Sequence, residues 1–197
     1  MSSTPDYIIG KLDDQPAVYV GTYHKYASGD LFGAWIDLSC FTDADDLLDA
    51  CRKLHKDERE PELMFQDFQG FPDCLYSECM GAERLQEVLD FINIDDDERD
   101  ILEAYIDLNG KHGTIDELNT AAQEAFLCRL KPYMIKHNFF PGQEEEAFGQ
   151  FLADSGFINI PDDSPLSSYF NYERYGRDML LDTYEMTGDD RYIFRRI

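Results

Sequence analysis

The sequence predicts an α+β protein organised in three segments, and three observations carry that expectation. Over roughly the first 70 residues, β-branched and aromatic runs flank one short amphipathic stretch. A strongly acidic middle follows, with apolar residues at helical spacing. A basic, proline-interrupted stretch over 129–143 then separates it from a tail that mixes helix and strand patterns. The segments are set at 1–75 (N-terminal α+β, antiparallel strands), 76–135 (central acidic helical domain) and 136–197 (C-terminal α+β).

Residues 17–23, Ala-Val-Tyr-Val-Gly-Thr-Tyr, read as a strand, because such side chains suit a pleated, half-buried surface. Ala27-Ser28-Gly29-Asp30 supplies a turn. Leu31 to Leu38, with Trp35 inside it, reads as the return strand of a hairpin. Residues 43–56 read as a helix, with Thr42 or Asp43 as N-cap and acids in the first turn, where the helix dipole favours them. Leu63 to Phe71 alternates apolar and polar, the period of a third strand.

In the middle, a helix over 82–93 places Leu85, Val88, Leu89 and Ile92 on one face and Glu83, Glu87 and Asp90 on another. A helix over 96–109 repeats the arrangement. Ile101, Leu102, Tyr105 and Ile106 oppose Asp96, Asp100, Glu103 and Asp107, and Gly110 is the stop. Thr114 followed by Glu117 is a capping-box pattern that opens a third helix, running to about Leu130. Gln143 to Ser155 reads as an acidic helix ending at Gly156, Ile160 to Pro165 as a loop, and Tyr169 to Asp178 as a short helix. Two strands are placed near 179–186 and 190–196.

The chain of 197 residues carries 41 Asp and Glu against 17 Lys and Arg, a net charge of −24. Residues 57–128 alone hold 20 acids and 4 bases. Self-repulsion on this scale works against a compact state, so a folded protein that keeps it has a use for it. Hydrophobic residues make up 43% and aromatics 14%, enough for a core, which excludes a disordered acidic polymer. Free nucleic acid and anionic membranes are disfavoured partners, while basic proteins are attracted at long range. No run of 18 apolar residues is present to span a membrane. Met1 to Asp6 has no basic region leading into an apolar run, so no secretory signal is expected. Five cysteines at irregular spacings fit reduced thiols in a cytoplasm.

Acids one helical turn apart lie about 5–6 Å from each other. That is of the order of the separation between neighbouring phosphates along a strand. Duplex DNA carries one negative charge per ~1.7 Å of axis, so the net charge of this chain matches roughly 40 Å of duplex. Carboxylates offer acceptor oxygens to Arg and Lys as phosphates do. Stripes with almost no interleaved base are unusual for solubility alone, where signs are mixed. The plain alternative is a solvated face.

Other chemistries are weaker. Residues 107–118 lie between two helices like a calcium loop, but Lys111 stands at the fifth position, His112 at the sixth and Leu118 at the twelfth, where a ligand, Gly and a bidentate carboxylate are needed. Cys74 and Cys79 have no second pair or nearby His to complete a zinc site. No Gly-rich phosphate loop, nucleophile elbow or HExxH motif is present. With 41 carboxylates, Asp/Glu pairs arise by chance and do not argue for a hydrolase. No catalytic residue, cofactor or metal is therefore assigned.

Three islands resemble the ArdA family of antirestriction proteins, the DNA mimics carried by plasmids, transposons and phages. The first runs from Val18-Tyr19-Val20 through Lys25-Tyr26 and Gly29 to Leu31-Phe32-Gly33-Ala34-Trp35. The second is Phe65-Gln66-Asp67-Phe68-Gln69-Gly70-Phe71. The third is Tyr169-Phe170-Asn171-Tyr172-Glu173-Arg174-Tyr175-Gly176-Arg177-Asp178. They fall in the family's order and cover most of the chain.

The resemblance implies an elongated, curved molecule of three small domains, with a helical bundle in the middle. It also implies a homodimer whose acidic surface imitates bent DNA. The implied target is the DNA-binding groove of type I restriction-modification enzymes, in their specificity and methyltransferase subunits, with no chemistry performed. The working surface is expected to be distributed over Glu83, Glu87, Asp90, Asp95, Asp96, Asp97, Asp100, Glu103 and Asp107, continued by Glu144, Glu145 and Glu146. Asp67 and Asp178 read as structural, with Arg177 as the expected partner of one of them. The alternative function is an acidic adaptor or mimic for another basic DNA-binding protein, such as a helicase, recombinase or nucleoid protein. A calcium-dependent module is the third.

Overall fold

A computed structural model describes residues 5–160, 169–188 and 191–196. The fold is α+β, with two antiparallel sheets and eight α-helices among the described residues. The chain divides into two compact units, Met1–Arg99 with Lys111–Glu117, and Asp100–Gly110 with Leu118–Ile197. Both units draw on the acidic stretch 76–135.

The first unit is built on strands β1 (Ile8–Ile9), β2 (Ala17–Thr22), β3 (Ala34–Asp37) and β4 (Leu63–Gln69), in the order β1-β3-β2-β4. Central β2 pairs Val18 with Ile36 on one side and with Phe68 on the other. Ala17, Val18 and Val20 are fully buried. Helix α2 (Ala44–Leu54) starts at Asp43, whose carboxylate accepts from the amides of Asp45 and Asp46, and buries Leu47, Leu48 and Cys51. Helix α3 (Ala82–Ile92) buries Leu85, Val88, Leu89 and Ile92, the face that the periodicity selects, together with Phe91, and packs beside α2.

The β2–β3 pair is the expected one, but its connection is not a simple turn. A helix, α1 (Tyr23–Ser28), stands between the strands, and β3 begins at Ala34 rather than Leu31. The Thr22 hydroxyl accepts from the Lys25 amide, and Gly29 closes the helix in the left-handed region at φ 81°. The β-branched run at 17–23 hid that Thr22 is also a helix cap. Strand β1 had no sequence signal, since two residues are too short for a period.

Helix α4 (Asp96–Asn109) buries Ile101, Leu102, Ala104 and Ile106. Gly110 ends it with φ 77°, its amide donating to the Ile106 carbonyl at 2.7 Å. Helix α5 (Ile115–Ala125) opens on the capping box: the Thr114 amide donates to the Glu117 carboxylate at 3.0 Å, and the Glu117 amide to the Thr114 hydroxyl at 3.3 Å. The hydrogen bonds hold the Glu117 carboxyl below its ordinary value. Thr114→Ala is expected to cost about 1 kcal/mol of stability, read by urea unfolding.

That helix does not reach Leu130. It stops at Ala125, and Phe126–Arg129 forms β5, followed by α6 (Leu130–Lys136). With α7 (Glu144–Asp154), α8 (Tyr172–Asp182), β6 (Tyr184–Thr187) and β7 (Tyr192–Arg195), the second sheet has the order β5-β7-β6. Phe126 pairs with Phe194 and Arg129 with Tyr192. The core joins Leu130, Met134, Ala147, Phe148, Leu152, Tyr184 and Ile193. Helix α8 begins three residues later than its aromatic run suggests, because Asn171 caps it by accepting from the Arg174 amide. The loop expected from Ile160 to Pro165 lies, beyond Ile160, outside the described residues. No helix among the described residues is long and apolar enough to cross a membrane.

Candidate functional site

The amphipathic pattern that buries one face of α3 and α4 turns the acids of the other face to solvent. Glu83, Asp90, Asp95, Asp96, Asp97, Asp100, Glu103 and Asp107 are exposed, and Glu87 is half-buried. In the first unit, Glu83, Glu87 and Asp90 line an open cleft of about 390 Å³. Asp43 and Asp45 at the start of α2, with Thr114 and Ile115 at the start of α5, form its other walls. Gln86 ties the walls together. Its carbonyl oxygen accepts from the Ala44 amide at 3.0 Å, and its amide donates to Thr42 O and Asp90 Oδ1. The sequence pattern marks Asp43 as a cap candidate and Asp45 as a first-turn acid, and its spacing does not show that α2 starts beside α3.

Part of the acidic face is already neutralised within the chain. Glu87 accepts from Arg84 at 2.7 Å and from Lys111 at 3.0 Å. The position that spoils the calcium-loop pattern thus holds a cation for α3. Asp96 pairs with Arg99 at 2.5 Å. Glu83, Asp95 and Asp107 hold no ion pair among the described residues.

In the second unit, Asp100, Glu103 and Asp107 line a cleft of about 220 Å³ with Thr187, Gly188 and Tyr192. Arg129 reaches Asp100 at 3.3 Å, and its guanidinium lies 5.0 Å from the centre of the Tyr192 ring. These contacts place a base from β5 against the α4 stripe.

The α7 acids are half-buried and differ from the α4 stripe. Glu144 meets the Arg191 guanidinium at 2.6 Å. Burial pushes its carboxyl up, but the Gly142 amide and Arg191 outweigh that and hold it below the ordinary value. Glu145 accepts from Arg177 at 2.9 Å, and Glu146 accepts from the Gln143 amide at 3.3 Å. Arg177 therefore bonds α8 to α7, and also reaches Glu173 at 3.1 Å, rather than serving Asp67 or Asp178. Asp178 lies 3.9 Å from Arg174 instead. The i, i+4 spacing of Glu173 and Arg177 carried that signal within α8, while Glu145 is 32 residues away and left none.

Chemically, the arrangement offers carboxylate oxygens to cationic side chains. Among the described residues no three His, Cys, Asp or Glu side chains converge to hold a metal ion. The five cysteines are free, and burial pushes the thiols of Cys51 and Cys128 up to about 12, which keeps them protonated.

No curated protein matches the chain. The family model described as antirestriction protein (ArdA) matches residues 18–194, spanning both units and all three sequence islands. With an acidic, solvent-facing pair of helices inside that match, the chain belongs to the ArdA family of antirestriction proteins.

Proposed function

We propose that this protein inhibits type I restriction-modification enzymes by presenting carboxylates where their specificity and methyltransferase subunits expect DNA phosphates. The observation that carries the reading is the segregation of α3 and α4, with apolar side chains inward and eight of the nine candidate acids of this stretch exposed. The family match supports an antirestriction role. The net charge of −24 supplies long-range attraction to a basic groove. In this reading the protein acts as a homodimer in the cytoplasm, without cofactor, and blocks restriction, modification or both by occupancy.

A competition assay tests it. A type I methyltransferase is pre-formed on labelled cognate DNA, the protein is added, and release is followed at low and high salt. Stoichiometric displacement that weakens steeply with salt is expected, because exposed charges act through a screened field. Displacement that is flat in salt, or absent with the protein folded, contradicts the proposal. Light scattering on the same sample checks the dimer.

A further inference from the structure

Lys25 is the sole buried residue of α1, and it is 7% exposed. Its ammonium group donates to Asp57 at 2.9 Å, lies 3.6 Å from Glu58, and sits 4.6 Å from the centre of the Phe32 ring. The fourth neighbour is His55, fully buried, whose Nδ1 is 3.1 Å from Lys25 Nζ. The other imidazole nitrogen, Nε2, faces the Val20 carbonyl at 3.2 Å. A carbonyl only accepts and an ammonium only donates. So Nε2 carries the hydrogen, Nδ1 holds a lone pair, and the ring is neutral. Phe32 closes the arrangement, its ring edge-on to His55 with centroids 5.7 Å apart.

The charged and hydrogen-bonding groups facing His55 are the Lys25 cation from α1, the Asp57 and Glu58 carboxylates from the chain after α2 and the Val20 carbonyl from β2, with the Phe32 ring beside them. Thr22 orients Glu58 by donating to it at 2.7 Å. Outside this cluster, the segment 24–32 is tied to the sheet by the Lys25 amide, which donates to the Thr22 hydroxyl at 3.2 Å, and by the Tyr19 hydroxyl, which donates to Leu31 O at 3.2 Å on the exposed side. The segment otherwise displays Tyr26, Leu31 and Phe32 to solvent, at 54%, 66% and 49% exposure.

We propose that Lys25 and His55 form an acid-sensitive latch, in which protonation of His55 sets two cations 3.1 Å apart and releases segment 24–32 from the sheet while β2 and α2 stay folded. Burial, then the Lys25 charge, hold the His55 value below its ordinary 6.5, against the Val20 hydrogen bond and the two carboxylates. The released state therefore binds more protons below that value. The latch is complete above about pH 6.5 and weakens as pH falls below it. The Lys25 hydrogen bond holds Asp57 below 3.8, so its contribution is lost only at lower pH, in a separate window.

Amide hydrogen exchange between pH 7.5 and 4.5, corrected for intrinsic rates, tests the latch in the full chain. Exchange over 24–32 is expected to quicken relative to β2 by up to about ten-fold per pH unit, the limit for one linked proton. His55→Asn keeps an acceptor for Lys25 and cannot take a proton there, so its profile is expected to be flat. A proton NMR titration of His55 supplies an independent readout, since Lys25→Met removes the opposing cation and is expected to raise the midpoint. The latch is overturned if 24–32 and β2 exchange in step, or if His55→Asn retains the wild-type profile. A His55 midpoint unmoved by Lys25→Met overturns it equally, and decides the matter should His55→Asn fail to fold.

Discussion

Gly176→Ala is expected to lower the melting temperature of the second unit by roughly 10–20 °C, a loss of about 2–3 kcal/mol at 4–8 °C per kcal/mol for a unit of this size. The cause is the crossing of α7 and α8. A methyl group on Gly176 would run into the carbonyl oxygen of Glu145 and come within 2.7 Å of the Gly149 nitrogen. On the facing helix, a methyl on Gly149 would meet the Tyr172 carbonyl, with Gly176 N at 3.0 Å. These obstacles are backbone, so no side-chain rotation relieves them, and the helices must separate. Separation would loosen Phe148 and Leu152, both fully buried on α7.

Opposing this, alanine gains about 1 kcal/mol of helix propensity over glycine. Overpacking costs typically 1–3 kcal/mol and more where the backbone must shift, so the clash wins. Gly10→Ala, with nothing within 4 Å of the added methyl, is the control and is expected to leave the melting curve nearly unchanged. Calorimetry on the three proteins decides it. If Gly176→Ala melts with the wild type, the helices do not cross at these glycines.

Local order in this chain was legible where a period or a cap repeats. The burial of Leu85, Val88, Leu89 and Ile92, the Asp43 cap, the Thr114–Glu117 box and the Gly110 stop all follow from residues within a few positions of each other. What stayed hidden depends on distant partners. Phe126–Arg129 continues a helical pattern and becomes a strand because β7, more than 60 residues on, offers Phe194, Ile193 and Tyr192 to pair with. The acidic stripes were visible, but their neutralisation was not. Lys111 to Glu87, Arg129 to Asp100 and Arg191 to Glu144 each join residues 24 or more positions apart. A charge count treats such acids as equivalent to exposed, unpaired ones, and the structure separates them.

That separation sets the largest functional prediction. Joint replacement of Glu83→Gln, Asp90→Asn, Asp95→Asn and Asp107→Asn is expected to weaken displacement of a type I methyltransferase from DNA by roughly 30-fold. The figure follows from exposed charge pairs worth about two- to three-fold each in affinity. Each single replacement should therefore stay within about three-fold, because the energy is shared. All four side chains are exposed, so melting temperature should change little: relief of like-charge repulsion raises it, and loss of the Glu83 charge from the first turn of α3 lowers it. The salt dependence of displacement should also become shallower, as fewer charges take part.

Glu144→Gln with Glu145→Gln offers the opposite signature. Those carboxylates hold Arg191 and Arg177, so their loss should lower the melting temperature, with inhibition falling only as the folded fraction falls. A quadruple variant that displaces DNA as well as the wild type, with an unchanged salt slope, would remove α3 and α4 from the contact surface. A single replacement that abolished displacement would replace the distributed surface with one dominant contact. The proposal requires the graded result in between.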